Sequence, residues 1–286
     1  MFKKIFFLLC ISITLLIPKS ILSQNREAQV NEIKKKSYLK QAPNASIAID
    51  ETLTAEELVR DVLINSTCAN VSNFSVSGGN FGTGEKSFGA FNTNGTIFPF
   101  QQGVILTNGK VGSASNSRTS LASDGDNNWP GDNDLNQTLN IASRNATVLE
   151  FDFVPLGNKI SFDYIFASEE YEQNSTFPCI YSDGFAFLLR EVGTTNYQNL
   201  ALIPNTNIPV KVTTVHPNIP GNGGCGPQNQ QYFGGFNNSS YPSVYDGQTV
   251  ILRAEANVIP NTTYHIKLVI GDENDNSYDS AIFLAG

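Results

Sequence analysis

Histidine occurs only twice in the 286 residues, tryptophan and methionine once each, and only 15% of the chain is charged. Each scarcity removes a class of function. The two histidines, His216 and His265, stand in no Cys/His spacing of a zinc site, and no His-Glu-x-x-His motif, Gly-x-Ser-x-Gly elbow or phosphate-cradling glycine loop occurs. Eighteen Lys+Arg against 26 Asp+Glu leave a net charge of −8, the wrong sign for a binder of nucleic-acid phosphates. Past the N-terminus no apolar run reaches the roughly 20 residues that a transmembrane helix needs.

The single long apolar run, Ile5 to Ile17, follows Lys3-Lys4 and precedes Pro18 and a polar stretch ending at Gln24, which is the pattern of a secretory signal peptide. Cleavage after Gln24 would remove Lys3, Lys4 and Lys19 and move the net charge from −8 to −11. An exported, acidic protein at the cell surface or beyond it is therefore expected. Cys10 leaves with the signal, and Cys68, Cys179 and Cys225 remain in a compartment where disulfides persist. Three is an odd number. Cys179 and Cys225 both lie in Pro/Gly/Asn-rich loops, where a staple is most useful, so they are expected to pair and leave Cys68 reduced.

Residues 25–51 are polar, carry Lys34-Lys35-Lys36 and show no apolar periodicity, which reads as a loose lead-in. The domain then begins at residue 52. Thr54-Ala55-Glu56-Glu57 is a capping box, followed by the apolar stripe Leu58, Val59, Val62 and Leu63, and predicts one short helix. Everything after it reads as strand, with Gly/Asn/Pro clusters between segments rich in β-branched and aromatic residues. Leu149-Glu150-Phe151-Asp152-Phe153 and Ile160-Ser161-Phe162-Asp163-Tyr164 alternate strictly, so one face packs inward and the other meets solvent. Val210 to Val215 is also read as a strand. No repeat and no α/β alternation is present, and the fold class expected is mainly β: an antiparallel β-sandwich, jelly-roll or lectin-like, with one short N-terminal helix.

The acidic loops carry the candidate sites. Asp124, Asp126, Asp132 and Asp134 lie in one loop with several Asn, the hard-oxygen chemistry that Ca²⁺ prefers, and Glu169 and Glu170 are candidates to complete such a site. It is not an EF-hand, because Trp129 and Leu135 occupy the positions that need Gly and Glu. A second candidate metal loop holds Asp272, Asn274, Asp275 and Asp279; its Asp-Glu-Asn-Asp-Asn core resembles the calcium-binding linker of cadherins. The alternative for the first loop is an Asp/Asn turn whose side chains bond their own backbone, and for the second a loop that connects two strands and holds no ion. Trp129, Tyr171 and Tyr181, with Asp183, are the candidate ligand-binding residues for a sugar, since ring faces beside carboxylates and amides suit a carbohydrate. Ser182-Asp183-Gly184-Phe185-Ala186-Phe187-Leu188 resembles the strand of legume lectins that begins at the carbohydrate-binding Asp. A two-carboxylate glycosidase drawn from Glu169, Glu170 and Asp183 is the third reading, and no catalytic residue is assigned.

A more specific resemblance runs along the whole domain. Leu53 to Val59, Gly103-Val104-Ile105-Leu106-Thr107-Asn108-Gly109, Pro130-Gly131-Asp132-Asn133-Asp134-Leu135, Phe166-Ala167-Ser168-Glu169-Glu170-Tyr171, Asp183-Gly184-Phe185-Ala186-Phe187, Tyr245-Asp246-Gly247-Gln248-Thr249 and Tyr278-Asp279-Ser280-Ala281-Ile282-Phe283 resemble, in motif and order, the choice-of-anchor L domain family. The resemblance implies a secreted or cell-surface bacterial module joined to a variable C-terminal anchoring or sorting domain, often one read by the type IX secretion machinery. Here the sequence stops at Gly286 directly after the last strand, so either it is a fragment truncated before such a domain or the partner region lies elsewhere. The expected partner is an extracellular glycan or a surface protein, the expected cofactor Ca²⁺, and the expected role non-enzymatic adhesion or recognition.

Overall fold

A computed structural model describes residues 46–64, 69–79, 81–115 and 121–286. The signal segment, most of the lead-in and Cys68 lie outside the described residues. Two antiparallel sheets form the body. The larger has the order β1 (Ala48–Asp50), β3 (Phe88–Asn92), β4 (Gln102–Thr107), β13 (Ser280–Ala285), β6 (Lys159–Ser168), β10 (Gly247–Thr249) and β9 (Phe233–Phe236), with β11 (Leu252–Asn257) also paired to β6. The smaller runs β2 (Ala69–Ser77), β5 (Ser143–Pro155), β12 (Tyr264–Glu273), β7 (Gly184–Glu191) and β8 (Gln198–Asn199).

The alternating strands build the interior between the sheets. Leu149, Phe151 and Phe153 of β5, Ile266, Leu268 and Ile270 of β12 and Phe185, Phe187 and Leu189 of β7 meet Val104, Leu106, Tyr164, Phe166, Ile282 and Leu284 of the larger sheet. The odd positions of β5 are buried and Glu150 and Asp152 between them are not, as period-2 patterning demands. Where the sequence runs apolar without alternation, both faces are covered. Ile165, Ala167, Ala281 and Phe283 pack outward against Phe91, Phe98, Phe100 and Tyr245, while Ala186, Leu188 and Val269 pack outward under Leu135.

Helix α1 starts where the capping box places it. Thr54 accepts from the Glu57 amide, the Glu57 carboxylate accepts from the Thr54 amide at 2.8 Å, and the turn Ala55–Glu57 continues as a wider π-helical segment, Leu58–Leu63. Leu58 and Val59 then plug the core.

Three expectations are corrected. Ala48–Asp50, assigned by sequence to the lead-in, is a strand registered Ala48↔Asn92 to Asp50↔Ala90, with Ile47 before it fully buried. Val210 to Val215 is not a strand. It is a 3₁₀ turn, Val212–Thr214, whose Thr214 hydroxyl accepts from the Lys211 amide at 2.9 Å. A second helix, α2 (Asn133–Leu139), rises from the acidic loop, capped by Asp132, and lays Leu135 on the outer face of the smaller sheet. Among the described residues no helix is long and apolar enough to cross a membrane.

Polar residues on that outer face pair across strands. His265 lies opposite Asp152, and its Nδ1 stands 2.7 Å from Asp152 Oδ1, its Nε2 3.5 Å from Glu150 Oε2. The bond to Glu150 is the main cause, with Asp152 adding to it, that holds the imidazolium above its ordinary 6.5, while His265 holds Glu150 below its ordinary 4.5. A folded-state value above the unfolded one stabilises fully below the unfolded pKa and is lost as pH rises through the folded value. For Glu150 the sign reverses, so the pair contributes most between about pH 4.5 and 6.5. The melting temperature of His265→Gln should fall furthest below the parent near pH 5.5 and approach it by pH 8.5. A gap that stays constant across that range would remove the ion pair as the cause.

Candidate functional site

Register brings the acidic segments to one end of the sandwich. Ser280 pairs with Ser168, Ala281 with Thr107, and Gly271 with Gly184. The residues that follow β4 and β6, precede β7, end β12 and connect it to β13 must therefore emerge side by side. They carry Asn108, Glu169, Glu170, Asp183, Asp272, Asp275 and Asp279.

At the centre lies Asn108. Its Nδ2 donates to Asp183 Oδ2 at 2.8 Å and also to Asp272 Oδ1, and its Oδ1 accepts from the Ser280 amide at 2.6 Å. One neutral amide thus bridges carboxyl groups that arrive on two strands of the smaller sheet while being held by the larger. Glu170 Oε2 accepts from the Asp183 amide at 2.9 Å. Asp279 accepts from the Asp124 amide at 3.1 and 3.0 Å, and its carboxylate lies so close to Gly109 that a Cβ there would come within 1.8 Å of it. Glu169 Oε1 accepts from the Ala122 amide at 3.1 Å.

Glu170 is 5% exposed, Asp183 1%, Asp272 0% and Asp279 1%. None of these four forms an ion pair with Lys, Arg or His among the described residues. Burial, then repulsion from Asp183, pushes both Glu170 and Asp272 far above the carboxylate range. Burial raises Asp183 as well, with Asp279 and Asp275 adding to it, and raises Asp279 to about 7. The second oxygen of Asp272, Oδ2, is buried with no hydrogen-bond partner. Among the described residues no group of three or more Asp, Glu, His or Cys side chains is placed so that it could hold a metal ion as the structure stands.

The loop expected to chelate Ca²⁺ is divided instead. Asp132 accepts from the Leu135 amide at 2.9 Å as the cap of α2, and Lys267 Nζ reaches Asp132 Oδ2 at 2.6 Å and Asp134 Oδ2 at 2.7 Å. Two of the four acids therefore have a lysine as their counter-charge. Asp126 is exposed and closes an Asx turn on the Asn128 amide at 2.7 Å; Asp124 accepts from Ser113 Oγ at 2.7 Å and lends its amide to Asp279. In the second loop Asn274 is exposed, in the left-handed region at φ 74°, and Asp275 closes an Asx turn on Ser277. Both Asp126 and Asp275 thus bond their own backbone, while Asp272 and Asp279 go inward.

The aromatic candidates separate too. Trp129 is buried, and its indole donates to Ala146 O at 2.9 Å; Tyr171 is fully buried, and its hydroxyl donates to Val215 O at 2.8 Å. Neither presents a ring to a sugar. Glu169, Glu170 and Asp183 are buried likewise. Tyr181 alone stays at the surface, 45% exposed beside the exposed Ile180. Both line a cleft of about 230 Å³ with Ser182, Thr213, Glu273, Asn274 and Asp275. Phe177 meets Tyr181 and Tyr278 edge to face, with ring centroids 5.2 and 5.3 Å apart. The Cys179–Cys225 disulfide is present and ties this segment to the loop before Gly226 across a 46-residue separation.

Sequence reasoning missed Asn108 and Lys267. Asn108 follows a strand whose last five residues are all buried, a weak sign that the next polar group is buried with them. Lys267 shares the outward parity of His265, a sign that it meets charges on that face.

The family model of the choice-of-anchor L domain matches residues 46–286. No curated protein and no solved structure matches the chain.

Proposed function

The chain belongs to the choice-of-anchor L domain family, a family of cell-surface and secreted modules, and from that premise we propose that it is exported by its N-terminal signal and acts outside the cell as a non-enzymatic adhesion or recognition module. The observation that carries this reading is the cleft at the loop end, where the exposed Tyr181 and Ile180 stand beside Thr213, Glu273, Asn274 and Asp275. A part-exposed aromatic beside a few polar groups in a concavity offers a partner both a ring face and hydrogen-bonding groups. Two constraints hold it in shape: the Cys179–Cys225 bridge on one side and the Lys211–Glu273 ion pair on the other.

Carbohydrate binding is the second reading. It is favoured by the same residues, since Tyr181 offers a ring face and Glu273, Asn274 and Asp275 offer acceptors for sugar hydroxyls. The test is binding of the purified domain to arrayed glycans and to intact cells, for the parent and Tyr181→Ala. Loss of at least tenfold in affinity is expected, about 1.4 kcal/mol for a ring contact. A variant that binds like the parent would move recognition away from the cleft, and release of reducing sugar would make the protein an enzyme.

A further inference from the structure

The four carboxyl groups of Glu170, Asp183, Asp272 and Asp279 meet at the sandwich end, buried and without a basic partner among the described residues. At two other places in the described chain, acids that approach one another are answered by a basic side chain. Lys267 answers Asp132 and Asp134, and His265 answers Glu150 and Asp152. Here the Asn108 amide bridges Asp183 and Asp272, donating hydrogen bonds but bringing no charge. Asp272 Oδ2, fully buried, has no donor at all. Leaving a carboxylate oxygen buried and unsatisfied is costly, and several such groups together are costlier still.

We propose that Asp183, Asp272 and Glu170, with Asn108 between the first two and Asp275 at the mouth, form a binding site for one hard divalent cation, Ca²⁺ in the first place. A single ion supplies what the cluster lacks. It brings positive charge among the buried carboxyl groups, gives Asp272 Oδ2 a partner, and takes the position between Asp183 and Asp272 that the amide hydrogens hold. The donors are carboxylate and amide oxygens with no sulfur or imidazole among them, which selects against zinc and copper and suits an ion that accepts six to eight oxygens in loose geometry. As they stand these carboxylates are not placed to hold an ion, so binding requires the Asn108 amide to turn and the carboxylates to draw together around it. Asp279 stays outside the coordination set, held by the Asp124 amide. Entry is through the cleft, because Ser182 and Glu273, the chain neighbours of Asp183 and Asp272, line it together with Asp275. The ion would tie the start of β7, the end of β12 and the segment after β6 into one unit. This inference is independent of what the cleft recognises, and its test uses no binding partner.

The experiment titrates the parent and the variants Asp272→Asn, Asp183→Asn and Asp126→Asn with CaCl₂ to 5 mM, following thermal melting, and Tb³⁺ luminescence as a direct readout of the ion. Extracellular modules hold Ca²⁺ at about 10⁻⁴–10⁻³ M, so the parent should gain about 3–5 °C, reversed by chelator, with saturable Tb³⁺ emission. Asp126→Asn, altered in an exposed turn, should keep the full gain. Asp272→Asn and Asp183→Asn should lose the gain and the emission while melting, without Ca²⁺, no lower than the parent, because each replaces a carboxyl group buried without a basic partner by a neutral amide of the same shape. No gain and no saturable emission in the parent would overturn the proposal and leave a cluster held together by shared protons. A gain that survives Asp272→Asn but disappears in Asp126→Asn would overturn it too, by placing the ion in the loop of residues 124–134.

Discussion

Replacing Lys267 by methionine should destabilise the protein by about 3 kcal/mol, the lower end of the cost of stripping one partner from a buried ion pair. Lys267 projects from the middle of β12 onto the outer face of the smaller sheet and is mostly buried. Burial works against its charge, and Asp132 and Asp134 more than offset that, so the ammonium sits above its ordinary value and is fully charged at neutral pH. Removal would leave two acids facing each other over an apolar surface. Asp132 also caps α2, the helix that covers Ala186, Leu188 and Val269 with Leu135, so the loss should reach the packing of that face. The lower figure is used because Asp134 is 37% exposed and water partly screens it. Lys267→Met combined with Asp132→Asn and Asp134→Asn should recover most of the loss, since Asn caps a helix about as well as Asp. Urea unfolding of the single and triple variants is the check, and a single variant within about 0.5 kcal/mol of the parent would reduce the cluster to an ordinary surface ion pair.

Loss of the disulfide should cost about as much or more. The Cys179–Cys225 bridge closes a segment with a sequence separation of 46, and the chain-entropy account assigns such a loop about 4 kcal/mol, acting through the unfolded state. Within the segment Ile203, Val210, Val212 and Val215 are buried in the main core without belonging to a long strand, so sheet hydrogen bonding does little to hold them. Cys179→Ser with Cys225→Ser, and the parent in a strong reductant, should therefore show the same drop in unfolding free energy. A drop below about 1 kcal/mol in both would mean that the unfolded chain is already restrained by other means.

The physics of pattern explains which parts of the molecule could be read in advance. Alternation in β5 and the first half of β6 is imposed by one wet and one dry face, and those strands were legible residue by residue. The capping box at Thr54 is local chemistry and was equally plain. Val210 to Val215 misleads because burial, not strand pairing, selects its valines; Lys211 and Thr214 close a 3₁₀ turn there instead. Ala48–Asp50 is too short to carry a pattern of its own. At the candidate site, composition identified the acids but not their partners. Asp132 and Asp134 read as ligands because Lys267, more than 130 positions away, cannot be paired with them from sequence. Asp183 and Asp272 fell into separate expectations, one a sugar ligand and the other a loop carboxylate, and only the pairing of β7 with β12 unites them. Trp129 and Tyr171 looked like sugar platforms because an aromatic in a polar loop gives no sign of which way it faces.

The most direct measurement for the carboxylate centre is a crystal structure of the domain grown with millimolar Ca²⁺, with data collected at a long wavelength where calcium scatters anomalously. One anomalous peak is expected between Asp183 and Asp272, within about 2.3–2.6 Å of Asp272 Oδ2 and of oxygens from Asp183 and Glu170. A map without that peak, in which the Asn108 amide still bridges Asp183 and Asp272, would contradict the account.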